Sequence, residues 1–239
     1  MQAFEAAVAL GYRYLETDVR TTLDGVLVAF HDATLDRVTD RRGAVADLPF
    51  SEVRAADAGF RCSTDGGHSH PFRGRGCAVP TLQEILVRWP AVRVNIDCKS
   101  DSAVAPLADL LKQHDAYERV CVGSFSDARI ARFRRLTRGA VCTSMARRAA
   151  GVARLASLSR VRAPRMGADC MQVPLRWGRV PVVDGALLSS AHRAGLPVHV
   201  WTVDDAPTMC ALLDMGVDGI MTDRPRVLRD VLVARGLWA

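Results

Sequence analysis

Tyr14-Leu15-Glu16-Thr17-Asp18-Val19, followed across the turn Asp24-Gly25 by Val26-Leu27-Val28-Ala29-Phe30-His31-Asp32, is the stretch on which the reading of this chain turns. Alternate residues of an extended chain share a face, so a strand over 14–19 points Glu16 and Asp18 the same way. Two carboxylates held side by side repel unless a cation separates them, and a hard divalent ion with oxygen ligands is the usual solution. His31, at the end of the second apolar run, supplies an imidazole able to act as acid or base beside that ion. A Glu-x-Asp taken alone is more often a solvated edge or a salt-bridged surface, so its meaning depends on what surrounds it.

Outward from this stretch, further strand candidates lie at 92–97, 120–124, 140–144, 169–173, 197–202 and 219–221. Helical periodicity over 103–114, 128–135, 149–159, 185–194, 208–215 and 226–234 separates most of them. Thr81-Leu82-Gln83-Glu84 reads as a capping box opening another helix after Pro80, and Gly195 and Gly216 close two more. Alternating strands and helices imply parallel packing, and the number of repeats favours a closed barrel over an open doubly wound sheet. The Asp24-Gly25 connection is a hairpin signal rather than a parallel crossover, which sets the candidate at 26–30 apart from the others. Residues 33–79 are glycine-rich and poorly periodic, above all 59–76.

The blocks Glu16-Thr17-Asp18-Val19, His31-Asp32, Val79-Pro80-Thr81-Leu82, Asn95-Ile96-Asp97-Cys98-Lys99, Ser124-Phe125-Ser126, His199-Val200-Trp201-Thr202-Val203-Asp204 and Asp218-Gly219-Ile220-Met221-Thr222-Asp223-Arg224-Pro225 occur in order. In these the chain resembles the glycerophosphodiester phosphodiesterase family. The resemblance implies a single domain over 1–239 with a TIM (β/α)8-type barrel and an inserted region at about 33–79 over the active-site mouth, either a substrate-selecting lid or a plain long loop. It implies metal-dependent hydrolysis of small-molecule glycerophosphodiesters to glycerol 3-phosphate and an alcohol, a step of glycerol and lipid metabolism. Glu16, Asp18 and Asp97 match the ligands of a divalent magnesium or calcium ion, and His31 matches a catalytic histidine. Lys99 matches a basic residue near the phosphate, and Trp201 a residue lining the substrate pocket. A salt bridge for Lys99 and plain packing for Trp201 remain open alternatives, and His199, Asp204 and Asp223 fit a supporting or a structural role equally.

Two departures from the family pattern stand out. Asp97 occupies a position that is usually glutamate, one methylene longer. At the front, Met1 to Gly11 looks like the body of the family's first helix, with Phe4, Val8 and Gly11 on one face. The barrel's first strand, with a His-Arg pair and one acidic residue, would precede it. The expectation is a true start upstream of Met1; the alternative is a metal-binding relative with weak or no turnover.

A chain of 239 residues, 49% hydrophobic, is long enough for one substantial core. No apolar run approaches the roughly 20 residues that span a bilayer, and no signal-peptide pattern is visible. The net charge of +6 comes from scattered arginines, and with only 6% aromatic residues a nucleic-acid partner is not expected. A basic balance does suit an anionic phosphodiester or an acidic membrane surface. The seven cysteines read as reduced core residues, favouring a cytoplasmic setting. Cys62 and Cys77 with His68 and His70 between them match no common zinc spacing.

Overall fold

Helix α1 (Gln2–Ala9) lays Phe4 and Val8 into an apolar cluster with Leu15, Ile85 and Val92, the Trp89 ring standing edge-on to Phe4 at 6.3 Å. Strand β1 (Tyr14–Thr21) follows. It buries Leu15, Thr17, Val19 and Thr21 on one side and turns Tyr14, Glu16, Asp18 and Arg20 to the other, the period-2 alternation expected of a strand with one apolar face. The computed structural model describes residues 1–63 and 65–238. The chain packs as two compact units, Met1–Val122 with Ala131–Val141, and Gly123–Ile130 with Cys142–Ala239.

In the first unit the chain reverses at Asp24-Gly25, where Gly25 holds a φ of +80° that side chains rarely adopt. Strand β2 (Leu27–Ala29) returns antiparallel to β1, pairing Val19 with Ala29 and Thr21 with Leu27. The hairpin signal is therefore borne out, and the candidate at 26–30 is an arm on β1, leaving seven strands in the repeating strand–helix pattern. The region 33–79 is not a bare loop. It carries a 3-10 turn at Val45–Asp47 and the short helix α2 (Phe50–Arg54), and packs Leu35, Val45, Val53, Ala56 and Val79 with Val28 and Phe30. Gly59 is locked in this packing: a Cβ there would lie 2.6 Å from the Phe72 carbonyl oxygen.

Helix α3 (Leu82–Arg88) opens on the expected capping box, Thr81 Oγ1 accepting from the Glu84 N–H at 3.1 Å and Glu84 Oε2 from the Thr81 N–H at 2.8 Å. Such a cap is worth about 1 kcal/mol. Strand β3 (Arg93–Cys98), helix α4 (Val104–Gln113) and strand β4 (Val120–Gly123) follow, and the sheet order is β2-β1-β3-β4. Helix α5 (Asp127–Leu136) carries the chain across the division between the units.

The second unit runs β5 (Cys142–Thr143), α6 (Arg147–Leu158), β6 (Met171–Pro174), β7 (Arg176–Trp177), β8 (Val180–Pro181), α7 (Gly185–Arg193), β9 (Val198–Trp201), α8 (Ala206–Met215), β10 (Gly219–Ile220) and α9 (Pro225–Ala234). Its sheet is parallel, in the order β10-β9-β6, with Met171, Val173, Val198 and Val200 buried. The antiparallel β7–β8 hairpin was not expected from the sequence. Gly216 ends α8 in the left-handed conformation, φ +91°, as its position predicted. Among the described residues no helix is long and apolar enough to cross a membrane. Among the described residues Cys62, Cys77, His68 and His70 form no ligand cluster, and no disulfide joins the seven cysteines.

Candidate active site

Parallel pairing of β1 with β3 sets Glu16 beside Asn95 and Asp18 directly beside Asp97. The side chains of both aspartates are less than one-fifth exposed. Like charges in adjacent register positions destabilise a sheet, and the chain places a cation between them. Lys99, two residues beyond Asp97 and so on the same face, sends Nζ to 2.9 Å from Asp18 Oδ1 and 2.7 Å from Asp97 Oδ2. Burial pulls the Lys99 ammonium down, but hydrogen bonds and charge from Asp18 and Asp97 outweigh it and hold its pKa above the ordinary lysine value.

The structure thus gathers Asp18, Asp97 and Lys99. Glu16 lies one strand step away, more exposed, and the three carboxylates are not drawn within 4.8 Å of one another among the described residues. A metal ion here is implied by the family resemblance, and the donor chemistry fits one. Asp97 Oδ1 is buried with no hydrogen-bond partner among the described groups, a costly state that a bound cation would relieve. The set is all oxygen, as hard divalent ions require.

His31 sits at the end of the hairpin arm, one residue beyond Phe30, whose N–H donates to the Asp18 carbonyl at 2.9 Å. Its backbone is therefore moored next to Asp18, and Arg20 Nε donates to the His31 carbonyl at 3.0 Å. The ring is well exposed, with Nδ1 2.7 Å from Asp32 Oδ1. Arg37 grips the same carboxylate through Nε at 2.5 Å and Nη2 at 3.0 Å. The hydrogen bond from Arg37 is the largest influence on Asp32 and, with that from His31, outweighs burial to hold its pKa at about 2. An ionised Asp32 takes the proton of Nδ1, which assigns the tautomer and leaves Nε2 for proton transfer. The roles of Asp32, Arg37 and Arg20 were not read from the sequence. The adjacency of His31 and Asp32 was the available signal; Arg37 reaches Asp32 through an irregular segment with no periodicity to reveal it.

In the second unit Trp201 ends β9, half-buried, with Phe125 edge-to-face at 5.6 Å and 73°. His199 shares its face of the strand. Gly219 lies opposite in register, and a Cβ there would come 2.8 Å from the His199 ring, so only glycine fits. Burial pushes the His199 pKa below 6.5, against the opposing charges of Asp218 and Cys142. The folded state therefore refuses a proton that the unfolded chain accepts. His199 should cost nothing above pH about 6.5 and weaken the fold as pH falls through that value. Urea unfolding of the parent and His199→Gln between about pH 8 and 5.5 should show the parent losing more stability than the variant; parallel curves would refute this. Asp204 accepts from Thr222 Oγ1 at 2.9 Å and from the Asp223 N–H at 2.8 Å, fixing the turn into α9, a structural task.

Comparison with known proteins identifies the family. The model of the "Glycerophosphoryl diester phosphodiesterase family" matches residues 1–227. A Mycobacterium tuberculosis protein named "Probable glycerophosphodiester phosphodiesterase 2" is 44% identical over all of this chain and 86% of its own length. A solved chain from Silicibacter pomeroyi DSS-3 superposes with a TM-score of 0.80 over 100% of this chain and 90% of that one, at 25% identity. An Oleispira antarctica phosphodiesterase, solved with the product sn-glycerol-3-phosphate, has a TM-score of 0.73 over 97% and 90% of the two chains at 19% identity, a likeness of fold. The fold is thus α/β of the TIM-barrel type found in these proteins. With one family model running over nearly its whole length and a relative of this similarity aligned along all of it, the chain belongs to the glycerophosphoryl diester phosphodiesterase family.

Proposed function

We propose that this chain hydrolyses glycerophosphodiesters to sn-glycerol 3-phosphate and an alcohol, with a divalent magnesium or calcium ion held by Glu16, Asp18 and Asp97. The observation that carries the reading is the Asp18–Lys99–Asp97 cluster, two largely buried carboxylates side by side on β1 and β3 with one carboxylate oxygen unsatisfied. Family membership supports the reaction class, and the product bound by the Oleispira antarctica relative supports the substrate class.

The ion would supply Lewis-acid polarisation of the phosphoryl group. Lys99 adds a second positive charge beside the same carboxylates and neutralises charge developing on phosphate oxygens. His31, oriented through Nδ1 by Asp32, gives or takes a proton through Nε2 at an ester oxygen or at the attacking hydroxyl. For Trp201, the family resemblance supports a place in the substrate pocket, where its half-buried ring offers an apolar face to the alcohol group.

The test is release of sn-glycerol 3-phosphate from a panel of choline, ethanolamine, glycerol and inositol glycerophosphodiesters, before and after chelation. Turnover that chelator abolishes and magnesium or calcium restores supports the reading. A thermal shift with either ion, absent in Asp18→Asn, would tie the ion to this cluster. An ion-induced shift without turnover on any substrate would instead establish the metal-binding, inactive alternative. Product analysis distinguishes attack by water from attack by a substrate hydroxyl, which yields a cyclic phosphate.

A further inference from the structure

Helix α6 is built inside out. Its inward residues Ala149, Ala153 and Ser157 are small and buried, while Val152, Leu155 and Leu158 face solvent, Leu155 and Leu158 at 67% and 62% exposure. A surface helix ordinarily buries its large apolar residues and exposes polar ones, so this arrangement needs a reason outside the fold. Beside it, the β7–β8 hairpin presents Trp177, 47% exposed, and Val180. The hairpin is held against α6 at two points. The Arg147 guanidinium lies 5.0 Å from the Trp177 ring centroid, and Arg154 Nη2, which also pairs with Asp184 at the start of α7, donates to the Pro181 carbonyl of β8 at 3.5 Å.

Charge specifies the partner. Residues 147–181 contain eight arginines, no lysine, no glutamate and one aspartate, Asp169. α6 itself has no acidic residue, and Arg147 and Arg148 are exposed at its first turn. A second copy docking face to face would set arginine against arginine. Nucleic acid would use the arginines, but would leave exposed Leu155 and Leu158 without a role, since its backbone rewards charge and stacking. A surface combining anionic groups with an apolar layer beneath uses every feature. Leucine and valine enter the acyl boundary, tryptophan sits at the headgroup level, and arginines lie over their own aliphatic stems to reach phosphate.

We propose that the outer face of α6, with the β7–β8 hairpin, docks this protein on an anionic lipid surface, α6 lying in the plane of the interface. The surface lies within the second unit and does not depend on the catalytic reading.

The experiment is co-sedimentation of the full chain with vesicles of phosphatidylcholine alone or mixed with phosphatidylglycerol. The expected result is binding at least about tenfold tighter to the anionic vesicles and weakened by salt. The double variant Leu155→Glu with Leu158→Glu should lose about tenfold or more of that binding, and Trp177→Ala a smaller part. Both variants should keep the parent's far-UV circular dichroism and thermal transition, since the replaced side chains are exposed. The proposal is overturned if the parent shows no preference for anionic vesicles or if the correctly folded double variant binds as the parent does. It is equally overturned if the same substitutions abolish duplex-DNA binding or self-association while the parent ignores vesicles.

Discussion

His31→Gln should lower kcat on a soluble glycerophosphodiester by about a hundred- to ten-thousandfold, the usual contribution of a positioned general acid or base. The hairpin arm is moored to β1 through the Phe30–Asp18 bond, so the imidazole leaves the backbone beside the carboxylate cluster, and its exposure leaves it open to a substrate. Glutamine keeps similar bulk and a polar end but cannot move a proton. The loss should therefore fall on kcat, with KM and the ion-induced thermal shift little changed. Asp32→Asn isolates orientation from proton transfer. An amide at position 32 can donate to Nδ1, favouring the tautomer with the proton on Nε2, and loosens the grip of Arg37. A loss of about ten- to a hundredfold in kcat, intermediate between the parent and His31→Gln, is expected. Asp32 is ionised above a pKa of about 2, so its orienting effect is constant across the ordinary assay range and the ratio of variant to parent should not depend on it. Steady-state kinetics of both variants is the measurement, and His31→Gln with activity within a few-fold of the parent would remove His31 from the chemistry.

Much of this architecture was legible because local signals agreed. The alternation in 14–19 gave both the strand and the shared face of Glu16 and Asp18, and the Thr81 box gave the start of α3 to the residue. Asp24-Gly25 correctly set β2 apart, because a two-residue turn cannot make the crossover a parallel neighbour needs. The β7–β8 hairpin escaped notice because each arm is two residues long, too short for any alternation to appear. α2 and the small core around Leu35 and Val53 escaped for a related reason, the apolar residues being spread through irregular backbone. At the site, the sequence left Lys99 divided between a salt bridge and a phosphate contact; the register of β1 with β3 supplies the salt bridge, and no single-strand pattern carries that register.

Lys99→Met should destabilise the ion-free protein by about 2–3 kcal/mol, less than the 3–5 typical of breaking a fully buried pair because solvent still reaches the cluster. For a chain of this length that is a fall of about 5–10 °C in Tm. Methionine fills nearly the same volume, so packing is conserved and the change isolates the charge. Without the ammonium, Asp18 and Asp97 face each other across adjacent strands, already short of a partner at Asp97 Oδ1. Their repulsion at neutral pH is then unopposed. Two further results follow from the same charges. Lys99→Met with Asp18→Asn should recover most of the lost stability, because the directly opposed pair of carboxylates is then gone. Magnesium or calcium should raise the Tm of Lys99→Met more than that of the parent, since the ion then meets two carboxylates released from the ammonium. Differential scanning fluorimetry with and without each ion reads all three. A variant as stable as the parent at neutral pH and indifferent to both ions would mean that Asp18 and Asp97 neither repel nor bind, and the metal reading would fall with the electrostatic one.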